Sequence, residues 1–158
     1  MKKVIGCILS GITGGLIGAV ITGKFLGKAM EEKIKKIDKF KNYYSMLNQW
    51  LILKQQGKSI DEYLKNKGYK TIAIYGMGEM GCRLLDELES SNVEVKYAVD
   101  ENADDIYSEI NIISPNDNFE IVDVIIVTAT FAYSQIKEEL QKKVDCEIIS
   151  LEDIIYAE

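Results

Sequence analysis

The chain of 158 residues contains no histidine, a single proline and a single arginine. Because histidine is the commonest metal ligand and the commonest general base, its absence excludes a serine–histidine triad and argues against a zinc site. The three cysteines, Cys7, Cys82 and Cys146, show no C-x-x-C spacing and cannot all pair, which suits a reducing compartment. We therefore predict neither a metal site nor a catalytic residue.

Charge is divided unevenly along the chain. Residues 1–70 carry 14 lysines and 5 acids, whereas residues 71–158 carry 5 basic residues and 20 acids. A half with so much negative charge repels phosphate backbones, so we expect no nucleic acid as a partner of the C-terminal part. The length suits one domain with appendages.

The N-terminal segment has the properties of a membrane anchor. Residues 4–23 form a run of 20 residues without a charged side chain, and about 20 helical residues span a hydrocarbon core of ~30 Å. Two lysines precede the run and seven follow it within residues 24–41, which by the positive-inside rule places the C-terminal domain in the cytoplasm. We predict a single-pass cell-membrane protein with its anchor at residues 1–28; a buried core helix is the alternative.

Small residues recur at four-residue spacing in this segment. Gly11, Gly15, Ala19 and Gly23 define one ridge of the expected helix. In lipid, such a ridge lets two backbones approach closely and favours helix association. The sequence therefore predicts contact with membrane lipid through residues 4–23, and self-association or a partner membrane protein. A span that is rich in small residues but has no specific partner is the alternative.

Residues 29–69 are predicted to form a helical juxtamembrane connector. Met30, Ile37, Tyr44 and Leu51 recur every seven residues, but two or three heptads are too few to predict a coiled coil. We expect instead that the early lysines lie near anionic headgroups. The residues expected to pack on the globular domain are Tyr43, Tyr44, Trp50 and Leu51.

From residue 70 onward, apolar strand-like runs alternate with helical segments. The run 122–128 is almost continuously apolar, as expected for a parallel strand that is covered on both faces. Alternation of this kind predicts right-handed crossovers and an α/β domain at residues 70–158, with a parallel sheet of about five strands. The expected elements are a helix at 60–67 after the capping-box sequence Ser59-Ile60-Asp61-Glu62, strands at 71–75, 95–99, 110–113, 122–128 and 147–150, and helices at 79–90, 133–143 and 151–156.

A glycine motif follows the first expected strand. Residues 76–81 read Gly-Met-Gly-Glu-Met-Gly, a G-x-G-x-x-G pattern that opens a helix. In such a turn the first glycine allows a tight bend, the second lets backbone approach a pyrophosphate, and the third lets helix and strand pack closely. Asp100 lies 19 residues after Gly81, where an acid can accept hydrogen bonds from a ribose hydroxyl. A purely structural turn is the alternative.

The stretch from Lys70 to Tyr156 resembles the Rossmann-like NAD(P)-binding modules, through residues 72–81, 99–102 and 123–128. It is also similar to the nucleotide-sugar-binding front domains of bacterial sugar-modifying enzymes in surface-glycan and capsule pathways. The resemblance implies NAD or a nucleotide-sugar as the ligand, with the glycine turn around the phosphates, an acid at the ribose and a threonine lining the cleft. The residues that it assigns to the ligand are Gly76, Met77, Gly78, Met80, Gly81, Asp100 and Thr128.

Candidate groups for catalysis are scarce. Tyr133 and Lys137 match the Tyr-x-x-x-Lys pair of short-chain dehydrogenases, but they lie much closer to the glycine motif than in that family, so coincidence is the better explanation. We expect a membrane-anchored binding or regulatory module that serves surface polysaccharide assembly. The alternatives are a subunit of an NAD-dependent oxidoreductase or sugar epimerase, and a structural scaffold that binds no ligand.

Overall fold

We determined the architecture from a computed structural model of the chain. The structure describes the backbone of residues 2–157 and the side chains of residues 27–28 and 30–157. The predicted membrane span at residues 4–23 and its ridge of small residues fall outside the described side chains. Within the described part of the chain, no helix combines the length and the apolar character needed to cross a bilayer.

The chain divides into two compact units, Met1–Tyr44 and Ser45–Glu158, which we call unit 1 and unit 2. The division falls within helix α1, which runs over Lys2–Gln55. In unit 1 the side chains described from residue 30 onward are exposed, except for that of Tyr43. The Lys39 ammonium lies 5.5 Å from the centroid of the Tyr43 ring.

Unit 2 is built around a five-stranded parallel sheet with the strand order β3-β2-β1-β4-β5, which confirms the predicted α/β class. From β1 the chain moves outward to β2 and β3, and it then returns to the other side of β1 to form β4 and β5. The strand order therefore switches between β1 and β4, the place at which parallel α/β sheets commonly bind ligands. The strands are β1 (Thr71–Tyr75), β2 (Glu94–Val99), β3 (Ile112–Ile113), β4 (Val124–Val127) and β5 (Glu147–Ser150).

Right-handed crossovers place the helices that follow β1 and β4 on opposite faces of the sheet, because the chain moves in opposite directions after these two strands. Helix α3 contacts β1 and β2, whereas α4 contacts β5. Helix α2 ends at Gly68, whose φ of 84° is in the left-handed region that glycine favours. After α1, the helices are α2 (Ile60–Lys67), α3 (Glu79–Leu88), α4 (Tyr133–Leu140) and α5 (Leu151–Ile155), with 3-10 turns at Ala103–Asp105 and Thr130–Ala132.

The predicted capping box at the start of α2 does not form. The Ser59 hydroxyl donates to the Asp61 carboxylate instead of accepting a backbone N–H. The N–H of Ile60 donates to Glu87 Oε1 at 2.9 Å, and Trp50 Nε1 donates to Glu87 Oε2 at 2.6 Å. A carboxylate on α3 thus caps α2 and also holds the end of α1.

The core of unit 2 includes the C-terminal part of α1. Met46 and Trp50 are buried, which confirms the predicted packing of Trp50 on the globular domain. Leu51 is exposed, so the same prediction is wrong for Leu51. One residue of helix corresponds to a rotation of about 100°, which places Leu51 on a different face from Trp50. The Tyr44 side chain in unit 1 is also exposed, against the same prediction.

Candidate functional site

The first glycine of the motif is required by the backbone of the turn that follows β1. Gly76 has a φ of 99°, in a region that residues with a Cβ rarely adopt. A Cβ at this position would lie 2.8 Å from Thr128 Oγ1. The Gly76 N–H donates to the carbonyl of Val99 at 2.8 Å, which fixes the turn against the end of β2. The fold itself therefore requires glycine at residue 76.

Thr128 closes the turn from the end of β4. Its side chain is only 3% exposed, and its hydroxyl donates to the carbonyl of Gly76 at 2.6 Å. The Thr128 N–H donates to the carbonyl of Tyr75 at 2.9 Å. The resemblance placed Thr128 at the wall of a ligand cleft, whereas the structure places it beneath the turn, where it holds the switch point between β1 and β4.

The third glycine allows α3 to pack directly on the turn. A Cβ on Gly81 would overlap the carbonyl oxygen of Gly76. Met77 and Met80 are both buried, so neither side chain lies at the surface of the turn. Close packing of helix on turn is thus a sufficient reason for glycine at residue 81.

Neither the backbone conformation nor close packing requires glycine at residue 78. Gly78 has a φ of −73° and a ψ of −166°, an extended conformation that any residue adopts. A Cβ there would meet no described heavy atom within 4 Å. Gly78 is also the N-cap of α3, and no side chain caps this helix. Because the first N–H groups of a helix have no intrahelical acceptor, this end of α3 can accept an anionic group.

Asp100 lies at the end of β2 and holds the glycine turn from the other side. Its Oδ2 accepts the Met77 N–H at 2.7 Å, and its Oδ1 accepts the Asn102 N–H at 2.9 Å. The Met77 N–H is therefore used inside the protein, although the resemblance directed it at phosphates. Each carboxylate oxygen accepts two hydrogen bonds, so Asp100 retains capacity for a further donor such as a hydroxyl.

The electrostatic potential near the carboxyl end of β1 is negative. Burial raises the pKa of Tyr75, and the carboxylates of Glu101, Glu139 and Asp100 raise it further. Glu79, at the first position of α3, is exposed. The helix N-terminus thus attracts an anion while the surrounding carboxylates repel it, and dissolved salt weakens long-range repulsion between exposed charges.

The Tyr133–Lys137 pair does not join this site. The Tyr133 hydroxyl donates to the carbonyl of Ile148 at 2.9 Å, and Lys137 Nζ donates to the Tyr133 oxygen at 3.1 Å. The second of these bonds raises the pKa of Lys137. The Tyr133 proton is committed to the backbone of β5, so the pair attaches α4 to the sheet. In the described part of the chain, no cluster of three metal-ligating side chains is present.

One cleft on unit 2 was not predicted from the sequence. It has a volume of about 730 Å³ and lies between α3 and the segment 106–110. The cleft exists because the connection from β2 to β3 contains a short 3-10 turn at Ala103–Asp105 where an α-helix could have covered the sheet. The lack of helical periodicity in residues 101–111 is the sequence signal that could have revealed it.

Comparison with protein-family models places the chain in a family. The family described as "C2185-like, N-terminal" matches residues 68–151, which is just over half of the chain. The chain therefore belongs to this family, and the matched region contains all five strands, the glycine turn and Asp100. Neither a search of curated proteins nor a search of solved structures returned a match.

Proposed function

We propose that unit 2 is a nucleotide-binding module in which the turn after β1 receives the phosphate groups of NAD or of a nucleotide-sugar. The observation that carries this proposal is Gly78. The fold requires glycine at Gly76 and at Gly81, but it leaves open space at Gly78 and a backbone conformation that other residues tolerate. A glycine at such a position lets a bulky group approach the backbone closely.

The surroundings of Gly78 fit the same ligand chemistry. The turn lies beside the switch point between β1 and β4, where parallel sheets present a crevice to nucleotides. The uncapped start of α3 offers N–H groups and a partial positive charge to a phosphate. Asp100 accepts two hydrogen bonds at Oδ1 and one at Oδ2. The capacity left at Oδ2 supports a bond from a ribose hydroxyl.

We further propose that the module senses or docks the nucleotide and does not transform it. The one sequence pair that could supply acid–base chemistry, Tyr133 and Lys137, is hydrogen-bonded to β5 and to itself. Anchoring at residues 4–23 would hold the module at the inner membrane face, where surface polysaccharides are assembled from nucleotide-sugars. This location is supported by the uncharged run and by the lysines that follow it.

The test compares ligand binding by the wild-type chain and by Gly78→Ala, both purified full-length in a neutral detergent. We expect NAD, NADH or a UDP-sugar to raise the Tm of the wild type, since a ligand at 100 times its Kd stabilises by about 2.7 kcal/mol. Gly78→Ala should keep the Tm of the free protein but bind at least about tenfold more weakly. Gly27→Ala, at an exposed glycine of α1 with equally open space, is the matched control.

A scaffold without a ligand is the second candidate function. It is favoured by the internal bonds of Asp100 and Thr128, which hold the turn without any bound group. The same experiment decides between the two candidates. Absence of a Tm shift with all three ligand types, or equal affinity in Gly78→Ala and the wild type, would leave the scaffold as the function.

A further inference from the structure

The cleft beside α3 lies where a crossover helix would otherwise cover the sheet. Helix α3 connects β1 to β2, and the chain continues in the same direction from β2 to β3. With right-handed crossovers, a helix between β2 and β3 would therefore lie next to α3 on the same face of the sheet. The connection is instead formed by the 3-10 turn at Ala103–Asp105 and the irregular segment 106–110. The cleft of about 730 Å³ is the space that remains.

The floor of this cleft is apolar. Its side chains come from α3, from β2 and from the segment 106–110, and all but one of those named here are partly exposed. They include Leu85, the buried Leu88, Val95, Ile106 and Ile110. Tyr107 lines the cleft beside them and is fully exposed. An apolar floor with an aromatic side chain at its rim is typical of a protein interface.

The length and the volume of the cleft fit one face of a helix. The lining residues extend from Cys82, in the first turn of α3, to Leu88 at its end, so the cleft runs along this helix. A helix of about ten residues is ~15 Å long and ~10 Å across, and it occupies on the order of 1,200 Å³. The cleft of about 730 Å³ would hold a little over half of such a helix, as expected when an amphipathic helix lays its apolar face into a groove.

Carboxylates surround the apolar floor. Four acids line the cleft: Asp86, Glu89, Glu94 and Glu109. Asp86 and Glu94 pair with neighbouring basic residues at 2.7 Å and 3.0 Å. Glu89 and Glu109 have no ion-pair partner among the residues that the structure describes, and none of these residues brings a lysine or an arginine into the lining. Two exposed carboxylates are therefore available to cationic groups of a bound molecule.

We propose that the cleft binds an amphipathic helix of a partner protein whose polar face carries lysine or arginine. The apolar face of that helix covers Leu85, Val95 and Ile110, and its cationic groups lie near Glu89 and Glu109. Complementary charges at the rim of an interface contribute mainly to specificity and to the rate of association.

The charge of unit 2 also decides against two other occupants. Residues 71–158 carry 20 acids and 5 basic residues. The same surface on a second copy of unit 2 would therefore repel the cleft. Anionic lipid attracts basic segments and repels acidic ones, so a membrane surface is a poor match as well.

A pair of synthetic peptides measures the charge preference. The probe is a peptide of about 14 residues in which leucine and lysine follow a helical period, and its control replaces every lysine with glutamate. Each labelled peptide is titrated with the full-length chain in a neutral detergent, and fluorescence anisotropy is read against detergent alone. We expect the lysine peptide to bind at least about tenfold more tightly than the glutamate peptide, and its binding to weaken as salt is raised. Equal affinities would overturn the proposal.

Charge-reversal variants locate the binding. Glu89→Lys combined with Glu109→Lys reverses the two unpaired charges of the cleft. Glu120→Lys combined with Asp145→Lys makes the same change of net charge at exposed acids outside it. Only the first double variant should weaken binding of the lysine peptide, by at least about tenfold, and neither should shift the Tm appreciably, because all four acids are exposed. Similar weakening in both would mean that the peptide responds to overall charge, and would refute the cleft as its site.

Disulfide trapping tests the position of the peptide. Tyr107→Cys places a thiol at the rim of the cleft, and Ile121→Cys places one at an almost equally exposed position outside it. A lysine peptide with one activated disulfide should link at least about tenfold faster to Tyr107→Cys, because binding raises its local concentration there. Each rate is divided by that of a small neutral disulfide, and the wild type gives the background of the native cysteines. Equal normalised rates would contradict docking in the cleft.

Sedimentation of the chain alone tests the choice of partner. We expect no association that depends on the cleft. A dimer that dissociates in the variant with Glu89→Lys and Glu109→Lys would identify a second copy as the occupant and would overturn the assignment to another protein. These measurements are made without nucleotide, so their outcome is separate from that of ligand binding at the glycine turn.

Discussion

The glycine turn at residues 76–81 and the Tyr133–Lys137 pair differ in how far internal contacts occupy them. Both motifs are recognisable in the sequence. In the pair, the Tyr133 hydroxyl donates to the carbonyl of Ile148, and Lys137 donates to Tyr133. In the turn, Gly78 has open space around it, and α3 begins there without a side-chain cap. The difference teaches that a motif indicates a ligand where the fold leaves part of that motif without an internal role.

The largest effect is expected from Gly81→Ala, which breaks the packing of α3 on the turn. The new Cβ would overlap the carbonyl oxygen of Gly76, and this backbone atom cannot move without shifting β1 or the helix. We expect the free energy of unfolding to fall by about 3 kcal/mol or more, at the upper end of the range for overpacking. Urea unfolding followed by circular dichroism measures this change.

Gly78→Ala is the matched control for that substitution, because it makes the same chemical change three residues earlier. Its Cβ would enter open space, so the free energy of unfolding should change by less than about 0.5 kcal/mol. Alanine could even stabilise slightly by restricting the unfolded chain. If Gly78→Ala destabilised the protein as much as Gly81→Ala, the distinction between the two glycines would be wrong.

An intermediate effect is expected from Thr128→Val, which removes the hydroxyl beneath the turn with little change of shape. The carbonyl of Gly76 would lose a 2.6 Å hydrogen bond in a buried place, which costs about 2 kcal/mol. Ligand affinity should also fall, because the turn is held less firmly. Thr130→Val, at a less buried threonine two residues later, is the control, and an equal loss of stability in both variants would contradict this role of Thr128.

The sequence was sufficient to predict most of the fold of unit 2. The strands at Thr71–Tyr75 and Glu147–Ser150 have the predicted bounds, since each is an apolar run between clear helix signals. The expected strand 122–128 is shorter, at Val124–Val127. The N–H groups of Asp123 and Thr128 still donate to carbonyls of β1, so the difference concerns only the ends of the strand. Helix α3 ends at Leu88, two residues before the predicted end, where no glycine marks a stop.

The candidate site was predictable only where one local segment determines it. The conformation of Gly76 and the close packing at Gly81 follow from the spacing of the motif. The bond from the Met77 N–H to Asp100 does not, since it depends on how two separate loops meet in space. Periodicity likewise detected the seven-residue spacing in α1, but it could not tell whether Tyr44 and Leu51 are covered by the core or exposed.

The smallest effect is expected from Tyr133→Phe, which tests whether the Tyr133–Lys137 pair has only a structural role. The variant loses the hydrogen bond to the carbonyl of Ile148 and the partner of Lys137, at a cost of about 1 kcal/mol. If the pair is structural, affinity for NAD or a UDP-sugar stays unchanged, because no atom of the pair belongs to the turn. Tyr107→Phe, at a fully exposed tyrosine, controls for loss of a hydroxyl. A drop in nucleotide affinity in Tyr133→Phe alone, at unchanged stability, would instead assign the pair to the ligand and support the oxidoreductase alternative.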